Sequence, residues 1–146
     1  MAPDRERERL LTAERTPNLL HELVWRAAAR FPDAPALVAG KHRWTYAELA
    51  DAVSAAAAGL RARGLGRHDR VAVYLPKSLE TVAAMFGASA AGGSFVPVNP
   101  VLKAEQVGHI LRNSGARVLV TSGARLQAVG SALDDCPGLT HVILTD

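Results

Sequence analysis

Five histidines, one cysteine and a few hydroxyl side chains are the groups here that could do chemistry beyond bearing charge. His21, His42, His68, His109 and His141 are scattered along the chain. A metal site needs paired ligands at short spacings, and none of the five shows such a spacing with a carboxylate or with Cys136. Cys136 stands beside Pro137 with no base next to it, so it reads as a small core residue and not as a nucleophile. Ser54, Ser89 and Ser131 fall inside helix-patterned segments, without the Gly-x-Ser-x-Gly setting of a nucleophile elbow. Asp134-Asp135 is an acidic pair near a helix end and reads as solvated surface. No nucleophile, base and oxyanion donor come together. The expected roster of catalytic, cofactor-binding and metal-binding residues is therefore empty.

Loops that cradle anions are the other possibility. Gly64-Leu65-Gly66 begins like a dinucleotide fingerprint, but it follows a helix pattern instead of a strand, and Asp69 occupies the place of the third glycine. It reads as a helix-to-strand turn. Thr121-Ser122-Gly123 begins like a phosphate loop, yet Ala124-Arg125-Leu126 brings neither further glycines nor a lysine. Lys77 beside a helix start is a physically reasonable anion site, although Ser78 as an ordinary cap explains the same residues.

The elements that would position these groups are organised around residues 69–121. Three apolar runs, Val71 to Leu75, Phe95 to Val98 and Val118 to Val120, lack polar alternation, which suits strands covered on both faces. Helix-type segments separate them, giving β-α-β-α-β with right-handed crossovers. The first intervening helix starts at Ser78, stacks Val82, Phe86 and Ala90, and ends at Gly92-Gly93. The second carries Ala104, Val107, Ile110 and Leu111 and stops at Gly115; a third follows Ser122 with Leu126, Val129 and Leu133. A last strand covers His141 to Leu144. Pro97 cannot donate to a ladder, so its strand lies at a sheet edge or borders a bulge.

Upstream, Asn18 is expected to cap a helix with Leu20, Leu23, Val24, Ala27 and Phe31 as its buried stripe, closed by Pro32. A hairpin of Ala36 to Ala39 and His42 to Trp44 turns at Gly40-Lys41. Thr45-Tyr46-Ala47-Glu48 forms a capping box, worth ~1 kcal/mol, for an alanine-rich helix that ends at Gly64. The fold class is α/β, a parallel sheet of β-α-β crossover units with flanking helices. In an open parallel sheet, ligands gather beyond the carboxyl ends of the strands. That rule points to Lys77-Ser78, Asn99-Pro100, Thr121-Ser122-Gly123 and Thr145-Asp146.

A length of 146 residues allows one domain or a piece of a larger one. Residues 1–15 read as a flexible charged lead, and 16–146 as a partial domain, incomplete at its C-terminus. The net charge of +3 is spread out, without the basic stripe and stacking aromatics that nucleic acid requires. The uncharged run Val82 to Val98 is short for a membrane span and is interrupted by Gly92-Gly93 and Pro97. With one cysteine and no apolar leader, the expected compartment is the cytoplasm.

Three stretches, in order, resemble the start of the AMP-forming acyl-CoA synthetase family, the adenylate-forming enzymes. Pro35-Ala36-Leu37-Val38 with Trp44-Thr45-Tyr46-Ala47-Glu48-Leu49 is similar to the family's first core motif. Gly66 to Pro76 is similar to the turn and strand before its core helix. Ala91-Gly92-Gly93-Ser94-Phe95-Val96-Pro97-Val98-Asn99-Pro100 is similar to its second core motif. The run from Asn99 to Ser122 resembles the bacterial subgroup encoded near exosortase and exopolysaccharide systems. The resemblance implies two-step chemistry, in which a carboxylate attacks ATP to give an acyl-adenylate and pyrophosphate, and coenzyme A then displaces AMP. It also implies Mg2+ at the phosphates, and a carboxylic acid, ATP and coenzyme A as partners of the full-length enzyme. The family's phosphate loop, adenine and ribose motifs and C-terminal catalytic lysine come later in its pattern and have no counterpart in residues 1–146. The isolated chain is thus expected to be inactive and to bind none of these molecules tightly. The alternative is a non-catalytic binding or scaffold domain descended from the same family; an independent nucleotide-binding domain ranks last.

Overall fold

A computed structural model of the protein describes residues 18–146, so the charged lead assigned to 1–15 lies outside the described residues. Among the described residues the first elements are helix α1 (Glu22–Arg30) and the antiparallel hairpin β1 (Pro35–Ala39) and β2 (His42–Thr45). Helix α2 (Tyr46–Ala62) leads into the crossover units: β3 (Arg70–Tyr74), α3 (Leu79–Ala90), β4 (Ser94–Pro97), α4 (Ala104–Ser114), β5 (Ala116–Thr121), α5 (Gly123–Leu133) and β6 (His141–Leu144). The last four strands form one parallel sheet in the order β4-β3-β5-β6. Among the described residues β4 pairs only with β3, so Pro97 sits on an edge strand, where a missing donor costs least.

Alternation along the strands divides the core into two layers. Val71, Val73, Val118 and Val120 face α2 and α3, joined by Leu60, Ala84 and Ala88. Ala72, Tyr74 and Leu119 face α4 and α5, joined by Val107, Leu111 and Val129. The α2–α3 contact is close because Gly87 has no side chain, and a Cβ there would lie 2.6 Å from the Cβ of Ala56. The small side chains on the alanine-rich flank of α2 permit this approach. The capping box is present, with the Thr45 N–H donating to Glu48 Oε2 at 2.8 Å and the Glu48 N–H to Thr45 Oγ1 at 3.3 Å.

At the amino ends of the strands, one arginine joins three segments. Arg70 donates from Nε to the Ser114 carbonyl at 2.7 Å and from Nη2 to the Gly115 carbonyl at 2.9 Å, both at the C-terminus of α4. Its Nη1 reaches the His68 carbonyl at 3.1 Å. Gly115 adopts φ +61°, and a Cβ on it would meet the Arg70 guanidinium at 2.6 Å. Nearby, Arg117 pairs with Asp69 at 3.1 Å.

Helix α1 corrects its sequence reading. Its N-cap position is His21, not Asn18, and the Glu22 carboxylate accepts the Asn18 N–H at 2.8 Å. Of the expected stripe only Val24 is buried; Leu20, Leu23 and Phe31 are 42, 50 and 55% exposed. The covered side is instead centred on His21 and Val24: Val24 packs with Leu49 and Val53 of α2, and His21 Nδ1 lies 3.0 Å from Ser89 Oγ of α3, with the His21 ring edge-on to Trp25. Spacings of three and four identify an apolar face, but only tertiary contact selects which face is covered. Among the described residues, no helix is long and apolar enough to cross a membrane.

Candidate functional site

The sheet reverses its direction of growth between β3 and β5, and the carboxyl ends of these strands mark the switch point where ligands bind in such folds. Two segments flank it, Leu75 to Ser78 after β3 and Thr121 to Gly123 after β5. Tyr74 and Thr121 are register partners, so the buried Thr121 hydroxyl meets the Tyr74 carbonyl and donates to it at 2.9 Å. Ser78 Oγ accepts the Thr81 N–H at 3.2 Å, and Thr81 Oγ1 donates to the Pro76 carbonyl at 2.7 Å. Ser122 Oγ accepts the Arg125 N–H at 3.4 Å. Both serines act as the helix caps the sequence suggested. Lys77 is exposed.

The N-terminus of α5 already holds a carboxylate. The Gly123 N–H lies 2.8 and 3.2 Å from the two oxygens of Asp146, a favourable place for negative charge at a helix start. Asn99 Oδ1 accepts the Val101 N–H at 3.1 Å, which shapes the loop after β4.

Sequence reasoning missed a clamp on that loop. Arg125 lies over the Tyr74 ring at 4.9 Å and donates from Nη1 to the Pro100 carbonyl at 2.7 Å, while the Tyr74 hydroxyl donates to the Leu102 carbonyl at 2.9 Å. Cation–π contact and two hydrogen bonds fix residues 99–103 against the strand ends. An available signal was Arg125 itself: a cation in the first turn of a helix opposes the dipole and needs a reason to be there.

The histidines do not meet. His21 is buried against Ser89, His42, His68 and His109 are exposed, and His141 lies on β6 beside Thr140 Oγ1 at 3.0 Å. Among the described residues, no three His, Cys, Asp or Glu side chains gather to hold a metal. Cys136 is buried, its Sγ 3.3 Å from the Ala132 carbonyl. Asp134 and Asp135 are exposed.

One concavity runs along the α2/α3 face and reaches Thr145, just past the carboxyl end of β6. A cleft of about 250 Å3 opens between α2, α3 and the β5–β6 side of the sheet. Trp44, Ala56, Leu60, Ala84, Val120 and Ile143 line it.

Crossovers on both faces and a switch point define a doubly wound α/β unit whose ligand-side loops are pinned by their own side chains. Residues 24–146 match the model of the AMP-binding enzyme family, and the chain belongs to that family. It is 34% identical over 125 residues to bacitracin synthase 1 of Bacillus licheniformis, an alignment covering 85% of this chain and 2% of that protein. The N-terminal domain of FACL13 from Mycobacterium tuberculosis has a similar fold, with a TM-score of 0.81 and 30% identity over 89% of this chain and 34% of that one. A fatty acyl CoA synthetase from Mycobacterium tuberculosis gives a TM-score of 0.77 at 27% identity, covering 88% of this chain and 26% of that one. The chain therefore spans about a third, or less, of the length of each of these proteins (34% at most).

Proposed function

We propose that residues 16–146 form the opening part of the N-terminal domain of an AMP-forming acyl-CoA ligase. The observation that carries the reading is the agreement of motif and fold. The three family-like stretches fall on the hairpin and cap of α2, on the entry to β3 and on the α3–β4 junction of a fold shared with the FACL13 domain. In the proposed reaction a carboxylate oxygen attacks the α-phosphorus of ATP and expels pyrophosphate; the thiolate of coenzyme A then attacks the acyl carbon and expels AMP. The likeness of residues 99–122 supports the exosortase-associated subgroup as the finer assignment.

Residues 18–146 do not themselves fit ATP or Mg2+. The Thr121 and Thr81 hydroxyls donate to backbone carbonyls, Ser78 and Ser122 cap helices, and the α5 N-terminus faces Asp146. On this reading the nucleotide and metal are held by other parts of the enzyme, and the residues here supply a rigid wall. These engaged groups support an empty roster of catalytic, cofactor-binding and metal-binding residues in this stretch.

A second reading is an adenylating unit that activates an acid for peptide-type synthesis, favoured by the likeness to bacitracin synthase 1. Both readings share the adenylate step and differ in the acceptor. The deciding assay is ATP–pyrophosphate exchange with Mg2+ and fatty, aromatic and amino acids, followed by a test for coenzyme A thioesters. The 146-residue chain alone is expected to give no exchange; robust acid-dependent exchange by it would overturn the proposal. The native polypeptide carrying these residues, purified from its source cells, is expected to give exchange and a coenzyme A thioester. Exchange without thioester favours the second reading. A native band at 15.4 kDa with no exchange favours the scaffold domain instead.

A further inference from the structure

We infer that helix α1 docks the protein on an anionic phospholipid surface, through an exposed apolar ridge bordered by arginines. The inference goes beyond the ligase reading and stands without it. Six of the nine large apolar side chains exposed among the described residues fall between positions 19 and 38, so the exposure is concentrated at one end of the chain. Leu19 and Leu20 in the turn that opens α1, Leu23 in its first turn and Phe31 at its C-cap all face solvent. Leu23, Ala27 and Phe31 follow at spacings of four, which lines them up along one side of the helix, next to the buried Val24. Arg26 and Arg30, three and seven residues after Leu23, border the same line on its other side. The Arg30 guanidinium lies 5.3 Å from the centroid of the Phe31 ring, so the cation rides on the ridge itself. Glu22 is turned back on the opening turn, where its carboxylate accepts the Asn18 and Leu19 N–H groups at 2.8 and 3.3 Å. The same pairing recurs on the hairpin, where the exposed Val38 of β1 is the register partner of the exposed Arg43 of β2.

Position and charge together favour lipid as the occupant. Helix α1 is an outer layer: it rests on α2 through Val24 and on α3 through His21, and those two helices in turn cover the sheet. The apolar side chains left for a continuation of the sheet are elsewhere, at Val142 and Leu144 of β6. Between residues 18 and 45 four cations, Arg26, Arg30, Lys41 and Arg43, stand against the two carboxylates of Glu22 and Asp33. An apolar line edged by cations is the pattern of a helix lying in a membrane interface, where leucine and phenylalanine enter the acyl boundary and arginines meet headgroup phosphates. The cationic excess selects an anionic surface, each arginine adding roughly fivefold to the partitioning. A helix of nine residues with so few large apolar side chains gives a reversible contact, dependent on the lipid charge.

The test sediments the native polypeptide carrying these residues with vesicles of phosphatidylcholine, alone or with about one-third phosphatidylglycerol. The expected result is binding to the anionic vesicles only, weakening as salt rises. Leu23→Glu is expected to lower the partition coefficient about tenfold or more, and Arg30→Gln roughly fivefold. Both side chains are exposed, so both replacements are compatible with folding. Val101→Glu, at a still more exposed position on the loop after β4, is expected to leave binding unchanged. No binding to the anionic vesicles, binding that Leu23→Glu leaves intact, or an equal loss in Val101→Glu overturns the inference. A Leu23→Cys thiol gives the second readout, by maleimide labelling scored at the peptide that contains residue 23. It is expected to label without vesicles and to be protected by the anionic ones. Protection without vesicles would mean that protein already covers the ridge, from the same chain or from a second copy, and overturns the inference. Labelling undiminished by anionic vesicles does the same.

Discussion

The two faces of the parallel sheet are built from similar residues but closed to different degrees. On the α4/α5 face, Val107, Leu111, Leu119 and Val129 are almost entirely shielded over the middle of the sheet, while Val142 and Leu144 of β6 stay 38 and 45% exposed. On the α2/α3 face, Val71, Val73 and Val118 are equally shielded over the middle of the sheet, yet the cover stops short of β6 and leaves the cleft. The difference follows from chain order. Two consecutive crossovers travel towards β6 on one face, whereas the opposite face over that side has only the flank of α2 and α3. A sheet face is closed where the chain has passed over it.

Truncations on the two faces should separate most clearly. Leu119→Ala on the closed face is expected to cost ~2–5 kcal/mol, as for other fully buried leucines, because its neighbours cannot collapse into the space. Ile143→Ala beside the cleft should cost distinctly less in the 146-residue chain, since water already reaches the site. Urea unfolding of both variants checks this, and equal losses would erase the contrast. Gly87→Ala comes next. Overpacking against Ala56 is expected to destabilise by ~1–3 kcal/mol, and Ala56→Gly in the same chain should recover part of the loss. A double-mutant cycle measures that coupling; no recovery would mean that the α2–α3 approach is not limited by this pair. The smallest effects belong to the caps, one on each face. Thr45→Ala at α2 and Ser122→Ala at α5 should each cost ~1 kcal/mol, because a cap acts on its own helix and is indifferent to how completely the face is covered. A large difference in melting temperature between the two would show that capping and face closure are linked.

Much of this was legible in the sequence because it is local. The capping box at Thr45, the Ser78 and Ser122 caps, the Gly115 stop and the span of β6 all depend on residues a few positions apart. The parallel character of the sheet followed from unbroken runs such as Val71 to Leu75. The stripe on α1 was misread because its geometry left open which side another helix would touch. Strand order and the cleft were not visible, since no local pattern says on which side of β3 the next strand will lie. The fate of the candidate site was hidden for the same reason. The bond from Thr121 to Tyr74 joins residues 47 apart, and the one from Arg125 to Pro100 joins residues 25 apart.

The three-way grip of Arg70 has a consequence for how this chain tolerates change in length. Its guanidinium ties the start of β3 to the end of α4 across 44 and 45 residues, at the Ser114 and Gly115 carbonyls. An extra residue in the short link between α4 and β5 would push Gly115 out of its left-handed conformation or into the arginine. The loops at the opposite ends of the strands carry no such constraint from Arg70. Growth by insertion is therefore steered away from the rim that keeps its strands aligned.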